Sequence, residues 1–233
     1  MSGLRQFFSF FGSKVSLAKN YPAPKYQTII EPFCGSAGYS CLYYDREIIL
    51  SDADPTIVGI WKFLIRATKQ DILSLPLDYQ GVKKLSKSER DFIGFWWRRC
   101  GAVPSNQPVP WMLTGKWPHS FWSKETRERI ARQVGEIKHW TCDLLSYEKY
   151  GDQEKLCTWF IDPPYQKEGK RYVFSSEEID YDELRFWLKQ RSGQKIICES
   201  MSAAWMDFKK LYENRTVKYK KSYRTIQEMI CVC

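Results

Sequence analysis

The stretch Cys157-Thr158-Trp159-Phe160-Ile161-Asp162-Pro163-Pro164-Tyr165 decides how the chain is read. Its apolar run, Cys157 to Ile161, predicts a short buried strand. The run stops at an acid followed by two prolines, which fix their own φ and carry no N–H, so Asp162 sits on a stiff turn at the strand end. A carboxylate that must hold one geometry needs that stiffness. Beside it Tyr165 offers a flat ring. An acid, bare carbonyls and a stacking ring suit a planar amine such as the exocyclic amine of a nucleobase. Taken alone, Asp-Pro-Pro serves equally well as a helix cap.

Upstream, Gln27 to Ile30 reads as a strand running into Glu31-Pro32-Phe33-Cys34-Gly35-Ser36-Ala37-Gly38, with a helix expected from about Tyr39 to Tyr44. Strand, Gly-rich turn and helix make the first half of a nucleotide-binding α/β unit. A second strand, Glu47 to Leu50, ends in Ser51-Asp52-Ala53-Asp54-Pro55. Asp52, about 17 residues after the glycine turn, holds the position that takes ribose hydroxyls in such units. Asp54 and Pro55 form an N-cap and first-turn pair for a helix through Arg66. Before all of these, Phe11-Gly12-Ser13-Lys14 presents a lysine on a glycine turn, suited to a carboxylate or phosphate, ahead of a short helix from Val15 to Lys19.

The 233 residues, 43% hydrophobic and 27% charged, suffice for one substantial globular domain, with an insert. No apolar run approaches a membrane span, and Met1-Ser2-Gly3-Leu4-Arg5 is too broken for a secretion signal. Eight scattered cysteines without a CxxC pair argue against zinc and for reduced thiols in a cytoplasm. The net charge of +9 is concentrated: residues 81–138 carry twelve Lys/Arg against five Asp/Glu, and residues 209–224 carry seven against one. Two basic segments on a near-neutral body point to a polyanion, nucleic acid above all, with a merely solubilising surface as the plainer reading.

The first basic segment lies where the α/β pattern is interrupted. Ser86 to Cys100 reads as a helix with Phe92, Phe95, Trp96 and Trp97 beside Arg98 and Arg99. An aromatic loop, Trp111 to Trp122, includes Lys116, and Ser123 to Val134 reads as a charged helix that includes Arg127. Such residues can supply phosphate contacts and wedging rings, or simply form a subdomain with its own small core. The α/β pattern then resumes with a strand from Ile137 to Cys142 ending at Asp143, the strand quoted first, a helix from Tyr181 to Gln190, a strand from Lys195 to Cys198 and a helix around Ala203 to Leu211. Thr216 to Tyr223 and Gln227 to Val232 are expected to pair as an antiparallel hairpin around Lys220, Lys221 and Arg224.

Taken in order, Phe-Gly-Ser-Lys (11–14), Glu-Pro-Phe-Cys-Gly-Ser (31–36), Ser-Asp-Ala-Asp (51–54), Asp143 and Asp-Pro-Pro-Tyr (162–165) resemble the Dam-type (D12 class) DNA adenine-N6 methyltransferases over essentially the whole chain. The resemblance implies an α/β, Rossmann-like S-adenosylmethionine-dependent fold with a mostly parallel seven-stranded sheet and an antiparallel last strand. Residues 1–67 and 139–233 would be the catalytic domain and 68–138 a helical target-recognition insert. S-adenosylmethionine would lie along Phe11, Gly12, Lys14, Glu31, Phe33, Gly35, Asp52, Asp143 and Asp162. Lys14 would face the methionine carboxylate, Asp52 the ribose and Asp143 the adenine amino group. Asp162, Pro163, Pro164 and Tyr165 would hold a flipped adenine, with Phe174 over its other face, and no metal is required. Arg98, Arg99, Lys116, Arg127, Lys220, Lys221 and Arg224 would meet double-stranded DNA in a bacterial or phage-infected cell.

Two positions depart from the family pattern. Ala37 stands where a second glycine is usual, and Cys198-Glu199-Ser200 where Ser-Asn often follows the fifth strand. Amino methylation of another base or of RNA, and a catalytically silent DNA-binding protein of the same fold, remain open alternatives.

Overall fold

A computed structural model describes residues 3–114, 120–151, 155–211, 215–219, 222–226 and 228–233. Among the described residues nine strands are formed: β1 (Thr28–Glu31), β2 (Glu47–Asp52), β3 (Thr141–Leu144), β4 (Cys157–Ile161), β5 (Gly193–Ser200), β6 (Lys209–Lys210), β7 (Arg215–Tyr219), β8 (Ser222–Ile226) and β9 (Glu228–Val232). Seven of them make one sheet in the order β3-β2-β1-β4-β5-β9-β6. The first five run parallel, and β9 is wedged antiparallel between β5 and β6. This is the mostly parallel α/β sheet with an antiparallel last strand that the sequence led us to expect.

Alternation along the central strands explains why both faces are covered. On β1, Ile29 packs into one core and Ile30 into the other; on β4, Phe160 joins the first while Cys157, Trp159 and Ile161 join the second. The second core is closed by α6 (Tyr181–Lys189) through Leu184, Trp187 and Leu188. The first is closed by α1 (Pro55–Arg66) and by the chain between α1 and β3. That chain forms α2 (Lys69–Ser74), α3 (Tyr79–Val82), α4 (Lys87–Trp97) and α5 (Lys124–Gln133).

The described residues of 68–138 do not build a separate core. Phe92, Phe95, Trp96, Trp97, Trp122 and Ile130 are continuous with Phe7, Phe8 and Trp61 of the flanking chain. The N-terminal strap is tied to the same helices: Trp96 Nε1 donates to the Phe7 carbonyl at 3.0 Å, and Phe11 N to the Gly101 carbonyl at 3.1 Å. The helix starts follow their caps. Asp54 accepts from Thr56 N at 2.7 Å, and Ser123 from Thr126 N at 3.2 Å.

Four element expectations are corrected. Residues 38–45 form successive turns, with bonds such as Leu42 N to Tyr39 O, rather than a regular helix. Residues 203–211 form no helix; Trp205 and Phe208 pack on the second core, and Lys209–Lys210 extend to pair with β9. The hairpin is β7 with β8, Arg215 opposite Ile226, while β9 leaves it for the main sheet. The strand expected from Ile137 begins at Thr141, because Val134–Ile137 is a 3-10 turn. Among the described residues, no helix is long and apolar enough to cross a membrane.

Candidate functional site

Asp162 follows the last residue of β4, where the parallel strands of an open α/β sheet end and ligand crevices form. The two prolines after it hold the chain in the turn. Gly169 N donates back to the Tyr165 carbonyl at 2.7 Å, and the Tyr181 hydroxyl donates to the Pro164 carbonyl. Lys14, on the N-terminal strap and 5% exposed, reaches this turn. Its ammonium lies 2.7 and 2.8 Å from the two Asp162 carboxylate oxygens. It also donates to the Gly12 carbonyl at 3.0 Å and stands 4.8 Å from the centre of the Tyr165 ring.

Burial pushes the Asp162 carboxyl up to about 6; Lys14 opposes the shift and Glu228 adds to it. For Lys14, burial disfavours the charge, but the carboxylates of Asp162 and Glu228 outweigh it and hold the ammonium form. Asp162, Cys198 and Glu228 bring possible ligand atoms within 4.8 Å of one another. The Lys14 ammonium lies 2.7 Å from the Asp162 carboxylate and 3.7 Å from that of Glu228.

Two cavities meet at this lysine. The first, of about 280 Å³, is lined by Lys14, Glu31, Phe33, Gly35, Asp52 and Asp162 among others. Gly35 turns there with φ +43, and its Cβ-less face lies against Phe10. Asp52 closes the turn: its carboxylate accepts from Gly35 N and Asp54 N, both at 3.0 Å. Burial lifts Asp52 to about 6 against those two N–H donors. Glu31 accepts from Ser40 N at 2.8 Å, and burial pushes it up to about 8. Deeper in, Phe33 packs on Tyr147 with ring centres 5.4 Å apart. The second cavity, of about 600 Å³, is lined by Lys14, Tyr165, Glu228, Arg5 and Arg99. Phe10, Phe11, Gly12, Ser13, Lys14 and Tyr172 border both.

Asp143 lines neither cavity. It faces out from β3, its side chain 72% exposed, and lies 3.7 Å from Lys62. Alternation along the strand sets Cys142 inward and Asp143 outward, and the polar groups that reach the first cavity from this side are Ser146 and Glu148. Phe174 lies on the rim of the first cavity, not across the second from Tyr165.

The basic residues divide. Arg99 is exposed and borders the second cavity, and Arg98 is exposed beside it. Arg127 points inward, donating to the Leu75 carbonyl at the end of α2 at 2.6 Å, so it is a strut rather than a surface cation. Arg224 lies on β8, where the backbone alone is described, and Lys116, Lys220 and Lys221 lie outside the described residues.

Two residues, Glu228 and Tyr172, had no signal in the sequence, and Glu199 stood out there without a role. Glu228 on β9 accepts from the hydroxyls of Tyr21, at 2.7 Å, and Tyr165. Tyr172 donates to the Phe11 carbonyl at 3.3 Å and stands in the wall between the cavities. Glu199, fully buried, accepts from Gln166 N at 2.6 Å and from Ser200 N, pinning the loop after Tyr165 to β5. No single-position pattern marks them, because each meets its partner only in the folded chain. No protein-family model matches this chain, and no curated protein matches it.

Proposed function

We propose that the protein transfers a methyl group from S-adenosylmethionine to the N6 amino group of adenine in DNA. One observation carries this reading: a cavity at the glycine turn, which Asp162 lines, and a larger one at Tyr165 share Lys14, whose ammonium is paired with Asp162. A two-substrate transfer needs that arrangement, with donor and acceptor approaching one point from separate sides. The α/β sheet with its reversed last strand is the fold that the resemblance to Dam-type enzymes implies.

The donor cavity suits S-adenosylmethionine along its length. Lys14 offers a cation to the methionine carboxylate, Asp52 an acceptor to ribose hydroxyls, and the Phe33 and Tyr147 rings an apolar slot for a base. Gly35, with its left-handed φ and no Cβ, lets backbone come close to the ligand. When bound, S-adenosylmethionine supplies an electrophilic methyl group.

The acceptor side is the protein's own work. A duplex adenine is unreachable in the stack and is extruded at a cost of a few kcal/mol. Tyr165 offers the ring on which it stacks, and Arg5 and Arg99 at the cavity border offer charge to flanking phosphates. The ionised Asp162 carboxylate accepts a hydrogen of the N6 amine, which turns the nitrogen lone pair toward the donor side. Asp162 is also the nearest base for the proton that N6 sheds, and a carboxyl lifted to about 6 suits that exchange near neutral pH. The prolines and the Gly169 bond keep Asp162 and Tyr165 in this relation.

The test is direct. Unmethylated genomic DNA is incubated with protein and S-adenosylmethionine, and its nucleosides are analysed by mass spectrometry. N6-methyladenine formed by the wild type and lost with Asp162→Ala, DNA binding being retained, supports the reading. Methylcytosine, or turnover by the variant, overturns it.

A further inference from the structure

Glu228 is a buried carboxylate to which no motif assigns a role. It opens β9 opposite Ser200 of β5 and is 5% exposed. Burying a carboxylate is costly unless hydrogen bonds and charge answer it. Here one oxygen receives the Tyr21 hydroxyl at 2.7 Å and the Tyr165 hydroxyl, and Lys14 Nζ lies 3.7 Å away. Two segments far from it in sequence, the N-terminal stretch with Lys14 and Tyr21 and the turn with Tyr165, thus converge on one side chain at the wall of the second cavity.

Two of these contacts, to Tyr165 and Lys14, bear on groups used by the proposed transfer, on which this inference rests. A tyrosine ring pivots about its Cβ–Cγ bond and swings at Cα–Cβ, and a bond at the hydroxyl fixes its far end. Lys14 has a flexible stem and, with Asp162 as sole partner, would form a closed neutral pair with it. A second carboxylate at 3.7 Å draws the ammonium from the other side and leaves the three charges at a net −1. We infer that Glu228 is a positioning residue: it fixes the Tyr165 ring as the floor of the acceptor cavity and shares the Lys14 charge, leaving Asp162 able to accept the substrate amine.

The other groups facing Asp162 are Glu31 on β1, Cys198 and Glu199 on β5, and the phenols of Tyr21, Tyr165 and Tyr172. Lys14 lowers the Asp162 pKa, whereas Glu228 raises it. Removing the Glu228 charge therefore shifts Asp162 titration to lower pH.

The experiment compares wild type, Glu228→Gln, Tyr165→Phe and the double variant. Glu228→Gln keeps an oxygen acceptor and removes the charge. Methyl transfer is measured across pH 5–9, and the Asp162 carboxyl is titrated by 13C NMR, its signal identified by its loss in Asp162→Asn. The expected results are a fall in kcat/KM for DNA on the order of tenfold for Glu228→Gln, S-adenosylmethionine affinity not weakened, and an acid limb and an Asp162 midpoint both moved to lower pH. The double variant should lose less than the product of the single losses. An unmoved limb and midpoint, or fully multiplicative losses, overturn the role of Glu228. A wild type that titrates normally but transfers no methyl group counts instead against the methyltransferase reading, and the role falls with it.

Discussion

Lys14 Nζ lies within 2.8 Å of both carboxylate oxygens of Asp162, although 148 residues separate them. One ammonium therefore belongs to both cavities: it lines the glycine-turn side and holds the acid that ends β4. In the proposed reaction it serves the donor carboxylate and sets the ionisation of the group that receives the acceptor.

Lys14→Met should separate these roles. Lys14 lowers the Asp162 pKa, so its loss raises that pKa above about 6 and leaves less carboxylate at neutral pH. The acid limb of methyl transfer is expected to move to higher pH, the reverse of the Glu228→Gln shift. Binding of S-adenosylhomocysteine, followed by calorimetry, should weaken on the order of tenfold or more through loss of a charge-assisted bond. Unchanged affinity would remove Lys14 from the donor site.

Glu31 makes a stability prediction. Burial raises its pKa from 4.5 to about 8, so between those values the folded protein keeps a proton that the unfolded chain has released. This contribution is fully present below pH 4.5 and is lost as pH rises toward 8. Glu31→Gln cannot ionise and retains an oxygen for Ser40 N. Its stability should match wild type near pH 4 and exceed it at pH 9 by on the order of 5 kcal/mol. Thermal unfolding at the two pH values checks this, and parallel curves for the two proteins would refute the raised pKa.

Ala37 has φ +48, in the left-handed region that favours glycine. Strain there costs an alanine roughly 1–2 kcal/mol, which glycine escapes at some expense in backbone entropy. Ala37 is fully buried, so its methyl group also packs. Ala37→Gly is expected to shift Tm by less than about 3 °C. Gly35→Ala, with φ +43 and Phe10 ring atoms 3.0 Å from the added Cβ, is expected to cost more and to weaken donor binding. Thermal scans of both variants compare the two directly; a larger loss for Ala37→Gly would mean that packing, not strain, governs the turn.

What could be read in the sequence was local. The apolar run into Asp162-Pro163-Pro164 announced a strand and its end, and Asp54-Pro55 announced a helix start. The exposed side of Asp143 was not legible because strand faces alternate: its Cys142 neighbour is buried, and the Asp143 side chain lies outward near Lys62. Glu228 and Tyr172 could not be found this way, since their partners lie 207 and 161 residues away. The insert was legible as helices but not as part of the main core, because aromatic composition does not tell which surface covers the rings.

Arginine identity likewise says nothing of direction, and the last prediction turns on it. Arg127 and Arg99 are equal in a charge count, but Arg127 ends on the Leu75 carbonyl while Arg99 is exposed at the second cavity. Arg127→Ala should lower stability by on the order of 1–3 kcal/mol by leaving a carbonyl without its donor, with the salt dependence of DNA binding unchanged. Arg99→Ala should leave stability alone, weaken DNA binding at low salt and reduce the slope of log K against log salt by about 1. Fluorescence anisotropy with a labelled duplex at several salt concentrations, run beside thermal unfolding, distinguishes the two. A reduced slope for Arg127→Ala would mean that the strut opens to meet DNA, whereas an unchanged slope for Arg99→Ala would move the phosphate path away from the second cavity.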